Sequence, residues 1–423
     1  IKNKNFDETF RKLYSHDEKI VDKQRARYIK AIESFSSLYG QGREVSLYSA
    51  PGRTEIGGNH TDHNMGIVVA AAVNIDVLCV VSKTDDDKIN LFSQGFKAIE
   101  QVDCKDLEVR TEQYNTTESI IRGVCAGIKQ RGGECGGFCA YVTSDVLQGS
   151  GLSSSAAFEV AVGTIINHEF CHGRFNGVEI AQIGQYAENV YFGKPSGLMD
   201  QTASSVGSLM TIDFKDNSKP VVTPITFDLD KYNLALCVIN SGGSHADLTD
   251  DYSAIKYEMC SVANSLGKDF LGDLNPDEFF KAIPQIREKV GDRAILRAIH
   301  FYMECERATS IRNAIEKEDV EGFLSKIIEG GHSSFEYNQN AHNGKDESYQ
   351  PVSLALCMAQ NLLQGKRGAW RLQGGGFAGT IQCFVDKDIL EDFVDKMEKV
   401  FSNGSCQVLS IRNYGGIKVN ENI

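Results

Sequence analysis

The sequence of 423 residues lacks several features that would assign it to a class at once. No apolar run reaches the roughly 18 residues that suggest a membrane span. Basic residues are interleaved with acidic ones and the net charge is −13, so no basic stripe suits a nucleic-acid backbone. No Cys-x-x-Cys pair occurs, and only seven residues are proline. These absences argue against a membrane protein and against a nucleic-acid partner.

Twelve cysteines are nevertheless present, an even number that could form disulfides. The closest pair, Cys135 and Cys139, has no histidine at zinc-finger spacing. Five cysteines lie in apolar runs typical of strands or helices: Cys79, Cys125, Cys139, Cys237 and Cys383. We therefore expect buried, reduced thiols rather than a disulfide or zinc framework, which favours the cytoplasm.

The length exceeds what one hydrophobic core usually serves, so two domains are expected. The segment KDNSKPVVTPITFDLDKYN, residues 215–233, contains two prolines and reads as a linker. We place the boundary near residue 230, which gives domains 1–230 and 231–423. Strand and helix patterns are mixed in both halves, and this predicts two α+β domains.

Local patterns predict the elements that flank the most polar part of the chain. EVSLYSAPGR, residues 44–53, predicts a strand that ends at Pro51-Gly52. GIVVAAAV and VLCVVSK predict two further buried strands. Between the first two strands, the segment 50–66 crowds seven polar or charged side chains: Arg53, Glu55, Asn59, His60, Asp62, His63 and Asn64. This segment is either a surface turn or a ligand site mounted on a buried strand.

The loop GSGLSSSA, residues 149–156, leads from a predicted strand into a predicted helix. Its glycines let backbone N–H groups approach an anion, and a helix start carries unpaired donors and a partial positive charge. Its serines could bind phosphate, ligate Mg²⁺ or simply cap the helix. No G-x-x-x-x-G-K-[ST] pattern occurs, so this is not the common P-loop.

The segment GGGFAG, residues 374–379, matches the dinucleotide-binding pattern G-x-G-x-x-G. That reading requires a helix to follow, whereas TIQCFV is β-branched and strand-like. We therefore predict a tight strand–turn–strand whose backbone can approach a ligand or the other domain.

Two acids complete the chemistry that the residues themselves suggest. Asp200 follows a Pro-Ser-Gly turn and could act as a base or charge stabiliser near a hydroxyl, or could be an ordinary surface acid. Glu188 could bind Mg²⁺ or be an exposed glutamate. Together with an anion-binding helix start, they suggest ATP-dependent phosphorylation of a hydroxyl, in which a protein positions substrates and neutralises charge.

The combination resembles the GHMP kinase superfamily and, within it, the galactokinases, over about residues 45 to 415. The segments that carry the resemblance are PGRTEIGGNHTDHNMG, GSGLSSSAAFEVA, GKPSGLMDQTAS, RLQGGGFAGTIQCFV and SGGSHADLTDDY, the last with His245 and Tyr252. The resemblance implies an α+β fold with an N-terminal ribosomal-S5-domain-2-like layer, a C-terminal ferredoxin-like domain and an active site in the cleft. It also implies Mg²⁺- and ATP-dependent phosphorylation of galactose at its C1 hydroxyl.

The resemblance further implies a role for each matching position. Asp200 would be the catalytic acid beside the C1 hydroxyl, with Arg53 as its partner. Ser155 and Glu188 would bind Mg²⁺. The ATP phosphates would contact residues 149 to 154, namely Gly149, Ser150, Gly151, Leu152, Ser153 and Ser154. The sugar would contact Asn59, His60, Asp62, Gly197 and Tyr252.

Four positions depart from the galactokinase pattern: Glu55, Asn59, His63 and Ser196. Asn59 replaces a glutamate that the family uses at the C6 hydroxyl, and an amide carries no charge and can also donate. We therefore expect altered recognition at C6. Kinases for N-acetylgalactosamine or arabinose, and a sugar sensor without turnover, remain alternatives. The expected partners are a sugar and ATP, with no protein partner evident.

Overall fold

The computed structural model describes residues 1–146, 151–216, 218–243, 248–342, 344–420 and 423. The predicted site residues Gly149 and Ser150, and the motif residue His245, lie outside these ranges. Within them the strands are β1 Ser46–Gly57, β2 Ile67–Lys83, β3 Lys88–Ser93, β4 Glu100–Asp103, β5 Phe138–Ser144, β6 Leu209–Asp213, β7 Val221–Ile225, β8 Leu234–Gly242, β9 Gly368–Leu372, β10 Gly379–Asp386, β11 Cys406–Leu409 and β12 Ile417–Val419. The α-helices are α1 Asp7–Leu13, α2 Glu18–Tyr39, α3 Thr117–Gln130, α4 Ser154–Phe170, α5 Gly177–Tyr186, α6 Met199–Val206, α7 Thr249–Ser265, α8 Pro276–Val290, α9 Asp292–Glu316, α10 Val320–Ser333, α11 Pro351–Leu363 and α12 Leu390–Phe401.

The strands of the described ranges form two sheets. The larger sheet has the order β12-β1-β2-β5-β3-β4, and β6 with β7 continues it from the other end of β2. Strands β3 and β5 are parallel, whereas their neighbours pair antiparallel. The smaller sheet is antiparallel with the order β11-β8-β10-β9. The glycine motif joins β9 to β10, which confirms the predicted strand–turn–strand.

The long strand β1 differs from the prediction because it continues through Pro51-Gly52 rather than ending there. Its pairing with β2 shifts register between Pro51 and Arg53, and again between Glu55 and Gly57. Such β-bulges accommodate a residue that cannot join the ladder, and they redirect the side chains that follow. The bulges therefore place Arg53 and Glu55 at irregular points of an otherwise regular strand.

Two other element predictions were wrong in a similar way. The two strands predicted after residue 66 are one strand, β2, because its polar residue Asp76 is bonded inside the sheet by Tyr14 and Arg27. The predicted linker contains β7, which pairs with β6 and places Pro224 opposite Met210. Proline is tolerated there because β7 lies at the edge of the sheet.

Buried apolar clusters connect the layers. Helices α3, α4 and α5 pack on one face of the larger sheet, and α1 with α2 packs on the opposite face. A further cluster joins Ile56 and Val69 of the larger sheet to Leu236 of the smaller sheet and to Ile311 and Phe323 of α9 and α10. The last strand, β12, pairs with β1 and so returns across the predicted boundary. In the described ranges, no helix is long and apolar enough to cross a membrane.

Candidate active site

Arg53 and Asp200 form a two-pronged ion pair at the centre of the site. Arg53 Nε lies 2.6 Å from Asp200 Oδ1, and Arg53 Nη2 lies 2.6 Å from Asp200 Oδ2. Arg53 comes from the bulged part of β1, and Asp200 from the first turn of α6. Burial alone would raise the pKa of Asp200, but the charge and hydrogen bonds of Arg53 hold it below its ordinary value. Asp200 is therefore ionised at neutral pH.

The start of α4 is joined to the same pair. Ser153 Oγ donates to Asp200 Oδ2 at 2.6 Å, and Arg53 Nη1 donates to the Gly151 carbonyl at 2.6 Å. Ser153 has φ 58°, and its side chain makes no hydrogen bond that caps the helix. Of the three roles considered for the serines of this loop, helix capping is therefore excluded for Ser153. The positive end of the α4 dipole lies next to Asp200.

The remaining loop residues differ in what they can offer to phosphate. The Leu152 side chain is fully buried, so only its backbone faces the loop, and its carbonyl accepts from the Arg53 N–H at 3.0 Å. Ser154 is half-buried and Ser155 is exposed on the first turn of α4. Gly151 has φ +69°, and an added Cβ would collide with Thr380 Oγ1. The loop thus packs tightly against the β10 strand.

Glu188 lies on a single π-helical turn, Ala187–Phe192, directly after α5. Its side chain is only 3% exposed. Gln201 Nε2 donates to Glu188 Oε2 and to Glu159 Oε2, both at 2.9 Å, so one amide bridges two acids. Burial and the charge of Glu188 raise the pKa of Glu159 well above its ordinary value. Lys194 completes the cluster, with Nζ 2.9 Å from Glu188 Oε1.

The polar segment 50–66, called the sugar signature below because it resembles that of the galactokinases, meets the segment before Asp200 at Gly197. A Cβ added at Gly197 would collide with Asp62 Oδ2, so the carboxylate of Asp62 lies directly against this backbone. Burial, followed by the charge of Asp200, raises the pKa of Asp62. The structure therefore brings together Asp62, Gly197 and Asp200, three residues that the sequence predicted to share a site.

Three other predicted sugar residues bind the glycine turn between β9 and β10. The successive carbonyls of Gly374–Gly376 accept, in order, from Asn59 Nδ2 at 2.8 Å, His60 Nε2 at 2.9 Å and the Tyr252 hydroxyl at 2.8 Å. A carbonyl only accepts, so the proton of His60 is on Nε2. His60 Nδ1 faces His63 Nε2 at 3.3 Å. The turn thereby connects the sugar signature to α7, a role that the sequence did not reveal.

Asn59 is fully buried, and its amide has protein partners on every side. Besides Gly374, Nδ2 donates to Glu55 Oε1 at 3.0 Å, and Oδ1 accepts from Asn340 Nδ2 at 3.0 Å and from Ser334 Oγ at 3.3 Å. An amide has two donors and two acceptor positions, and all four are used. The Asn59 amide therefore has no free donor or acceptor position for the expected contact with a sugar C6 hydroxyl.

Glu55 and Asn59, which the sequence marks as two separate departures, are thus one hydrogen-bonded unit. Glu55 Oε1 also lies 2.8 Å from Arg371 Nη2, and both side chains are almost completely buried. Arg371 precedes the glycine turn on β9. The unit therefore joins the sugar signature to the smaller sheet through a buried ion pair and an amide.

Two buried residues of α9 hold the backbone of the same loop. His300 Nε2 lies 2.9 Å from the Asn59 carbonyl, and His300 Nδ1 lies 2.8 Å from Ser333 Oγ. Glu304 Oε2 accepts from the Gly58 N–H at 2.9 Å and the Asn59 N–H at 3.3 Å. The sequence analysis did not identify either residue, although their i, i+4 spacing places them on one face of the helix and was a usable signal.

Comparison with known proteins agrees with this geometry. Residues 119–208 match the model of the GHMP kinases N terminal domain. Residues 33–83 match the galactokinase galactose-binding signature. A curated galactokinase of Streptomyces coelicolor is 29% identical over 373 residues, which covers 88% of this chain and 92% of that protein. A galactokinase of Actinobacillus pleuropneumoniae serotype 3 is 29% identical over 85% of this chain and 90% of its own length.

Solved structures match the whole arrangement. The crystal structure of Lactococcus lactis galactokinase complexed with galactose superimposes with a TM-score of 0.80 at 23% identity, covering 93% of this chain and 100% of that one. The mevalonate kinase of Methanococcus jannaschii gives a TM-score of 0.60 at 12% identity, covering 88% and 99%. The fold is that of the GHMP kinases, as predicted. Within that superfamily, the matching signature and the curated relatives make the chain similar to galactokinases.

Proposed function

We propose that this chain transfers the γ-phosphoryl group of ATP to the C1 hydroxyl of galactose. The observation that carries the proposal is the position of the Arg53–Asp200 pair. On one side, the pair contacts Gly151 and Ser153 of the loop at residues 149–156. On the other side, the segment before Asp200 contacts Asp62 of the sugar signature at Gly197. The galactose-binding signature and the curated galactokinases support galactose as the sugar. The free thiols of the cysteines support a reducing compartment, and we place the reaction in the cytoplasm.

The sugar is oriented by the groups that surround Asp200. Asp62 accepts hydrogen bonds from the C3 and C4 hydroxyls, and its contact with Gly197 fixes its position beside the Asp200 segment. Tyr252, held by the glycine turn, closes the C4 side. Holding both reactants in one geometry lowers the barrier because the entropy of bringing them together has already been lost on binding.

In the transfer step, the C1 oxygen forms a bond to the γ-phosphorus while the bond from that phosphorus to its bridging oxygen breaks. ADP leaves with the bonding electron pair. The hydroxyl proton passes to Asp200, which accepts it late, because a carboxylate with a lowered pKa is a weak base until the C1 oxygen becomes acidic. Arg53 stabilises the negative charge that develops beside it.

Residues that bind ATP and Mg²⁺ have the chemistry that these groups require. The start of α4, with Gly151, Ser153 and Ser154, presents backbone donors to the phosphates. Ser155 and Glu188 supply a hydroxyl and a carboxylate, the hard oxygen ligands that Mg²⁺ prefers. A bound Mg²⁺ would neutralise charge on the transferred phosphoryl group. Glu188 fits this role because it is fixed in place by Gln201.

The proposal is tested by ADP release with Mg²⁺-ATP against a panel of acceptors: galactose, 2-deoxygalactose, 6-deoxygalactose, N-acetylgalactosamine, arabinose, glucose and mevalonate. We expect selective turnover of galactose and its deoxy analogues. Selective turnover of N-acetylgalactosamine or arabinose would replace galactose as the substrate. Binding of galactose without ADP release from any acceptor would show a sensor and contradict the proposal.

A further inference from the structure

Lys194 is a cation in this site to which the galactokinase resemblance gives no role. It follows the π-helical turn that carries Glu188 and precedes the α6 helix that carries Asp200. Its backbone N–H donates to the Glu188 carbonyl at 3.1 Å, and its Nζ lies 2.9 Å from Glu188 Oε1. The connecting Gly193 has φ 83°, and an added Cβ would collide with the ring of Tyr114. The backbone that presents Lys194 is therefore well fixed.

The two partners of this ion pair differ in how freely they can move. The Glu188 side chain is 3% exposed and is held by Gln201, whereas the Lys194 side chain is 57% exposed. A lysine is a compact charge on a flexible four-carbon stem. Lys194 can therefore leave Glu188 while Glu188 stays in place.

The charges of the site leave a need for such a cation. Each nitrogen of the Arg53 guanidinium already has a partner, two on Asp200 and the third on the Gly151 carbonyl, so its positive charge is largely balanced by Asp200. Glu188 adds a further acid to a site that must bind a polyanionic nucleotide. Burial would lower the pKa of Lys194, but the charge of Glu188, followed by that of Asp200, raises it. Lys194 is thus a cation whose charge is favoured by both acids.

Resting on the proposed function, we propose that Lys194 is a further catalytic residue, which pairs with Glu188 in the free enzyme and binds the phosphates of ATP when the nucleotide arrives. Moving to the phosphates would remove Lys194 from Glu188 and leave that carboxylate available as a ligand for Mg²⁺. At the phosphates, the ammonium group stabilises charge on the transferred group, alongside Arg53. The free enzyme therefore keeps Glu188 neutralised until the metal–nucleotide complex is bound.

The test measures ATP affinity by calorimetry in EDTA, without sugar, so that it does not depend on which sugar is the substrate. We expect Lys194→Met to weaken ATP binding about tenfold or more, because a charged hydrogen bond to phosphate is lost, and Lys194→Arg to restore most of it. Lys231→Met is the matched control: Lys231 is 50% exposed and pairs with Glu318 at 2.7 Å, and its removal should leave the affinity unchanged. Lys194→Gln is a second variant that removes the charge. The melting temperatures of both variants should equal that of the wild type, which excludes a folding defect as the cause of weaker ATP binding.

A double-mutant cycle with Glu188→Gln separates a direct contact from an effect through Glu188. If Lys194 binds phosphate, Lys194→Met weakens ATP binding in the Glu188→Gln background as well. If the loss disappears in that background, or never occurs, Lys194 is only the counterion of Glu188 and the proposal is wrong. With Mg²⁺-ATP and galactose, we expect kcat to fall while KM for the sugar stays unchanged. Absence of galactose turnover by the wild type would instead overturn the proposed function and leave the ATP measurement readable.

Discussion

Arg53 and Asp200, 147 residues apart in the sequence, meet in a bidentate ion pair with both nitrogen–oxygen distances at 2.6 Å. The Arg53 side chain is 8% exposed and that of Asp200 is 29% exposed, so the open side of the pair is the carboxylate. Under the proposed function, a substrate hydroxyl would therefore approach Asp200 from its open side, with Arg53 on the opposite side of the carboxylate. This relationship determines what each variant of the site should do.

Asp200→Asn keeps the shape of the side chain but removes its charge and its capacity to accept a proton. We expect kcat to fall by roughly 10² to 10⁴-fold, the usual contribution of such a group. Asp292→Asn is a matched control, because Asp292 also begins a helix and also holds an arginine, Arg287, by two contacts, but on the surface. The measurement is kcat from steady-state kinetics of the wild type and both variants. A kcat for Asp200→Asn within tenfold of the wild type would contradict the catalytic role proposed for Asp200.

Gly197→Ala introduces a methyl group where the Asp62 carboxylate lies. The carboxylate must move, so we expect KM for galactose to rise at least about tenfold, with KM for ATP little changed. Gly344→Ala is the control, because a Cβ there meets nothing within 4 Å and the backbone is not in the left-handed region. Equal values of KM for galactose in the two variants would show that Asp62 does not bind the sugar.

Removing O6 from the sugar should have a small effect, since the Asn59 amide is fully used by Glu55, Gly374, Ser334 and Asn340. A site built to bond a hydroxyl rejects an analogue that lacks it by about 10⁴-fold or more. We expect kcat/KM for 6-deoxygalactose to lie within about tenfold of that for galactose. A loss of several hundredfold would mean that another group of the pocket binds O6 strongly.

Asn59→Ala should destabilise the protein rather than act on the sugar directly. The substitution removes one hydrogen-bond partner from each of the buried groups of Glu55, Gly374 and Asn340, and a buried group left unsatisfied in this way costs about 1–3 kcal/mol. We expect the free energy of unfolding to fall by roughly 2–5 kcal/mol in urea titrations. Asn90→Ala, which loses one exposed bond to Gln101, should cost under about 0.5 kcal/mol. A cost for Asn59→Ala as small as that of the control would contradict the internal role of the amide.

The pH dependence of stability should reflect His63. Burial, followed by the charges of Lys256 and His300, lowers the pKa of His63 to about 3, and His60 is adjacent. In the unfolded chain, His63 binds a proton near its ordinary pKa of about 6.5. Above that pH, His63 does not change the free energy of unfolding. As the pH falls from about 6.5 towards 3, only the unfolded chain takes up the proton, so the folded protein loses stability. We expect His63→Gln to flatten the fall in urea midpoint between pH 7 and pH 5. His16→Gln, at an exposed position, should leave the slope unchanged, and equal slopes for all three proteins would contradict the assignment.

Positions in the fold that depend on a local pattern were predictable from the sequence. The serines at the start of α4 and Asp200 at the start of α6 occupy helix starts that short motifs identify. The turn between β9 and β10 followed from the β-branched residues after its glycines. In each case, the chemistry and the backbone conformation are determined by a few neighbouring residues.

Residues that act across long sequence separations were not predictable. Glu55 and Arg371 are 316 positions apart, and His300 lies 241 positions from Asn59, so no local pattern pairs them. The same limit explains the element errors: β1 passes Pro51-Gly52 because the pairing with β2 tolerates a bulge, which propensity does not anticipate. Contacts between distant parts of the chain determine these residue pairings and the length of β1.

The most direct measurement is ³¹P and ¹H NMR of the product formed from galactose and Mg²⁺-ATP by the wild-type protein, with the Asp200→Asn variant as the blank. We predict a phosphate ester on the C1 oxygen, with one ADP formed for each sugar phosphate and none with the variant. A phosphate on any other carbon, or product formed equally by the variant, would contradict the assignment of this site.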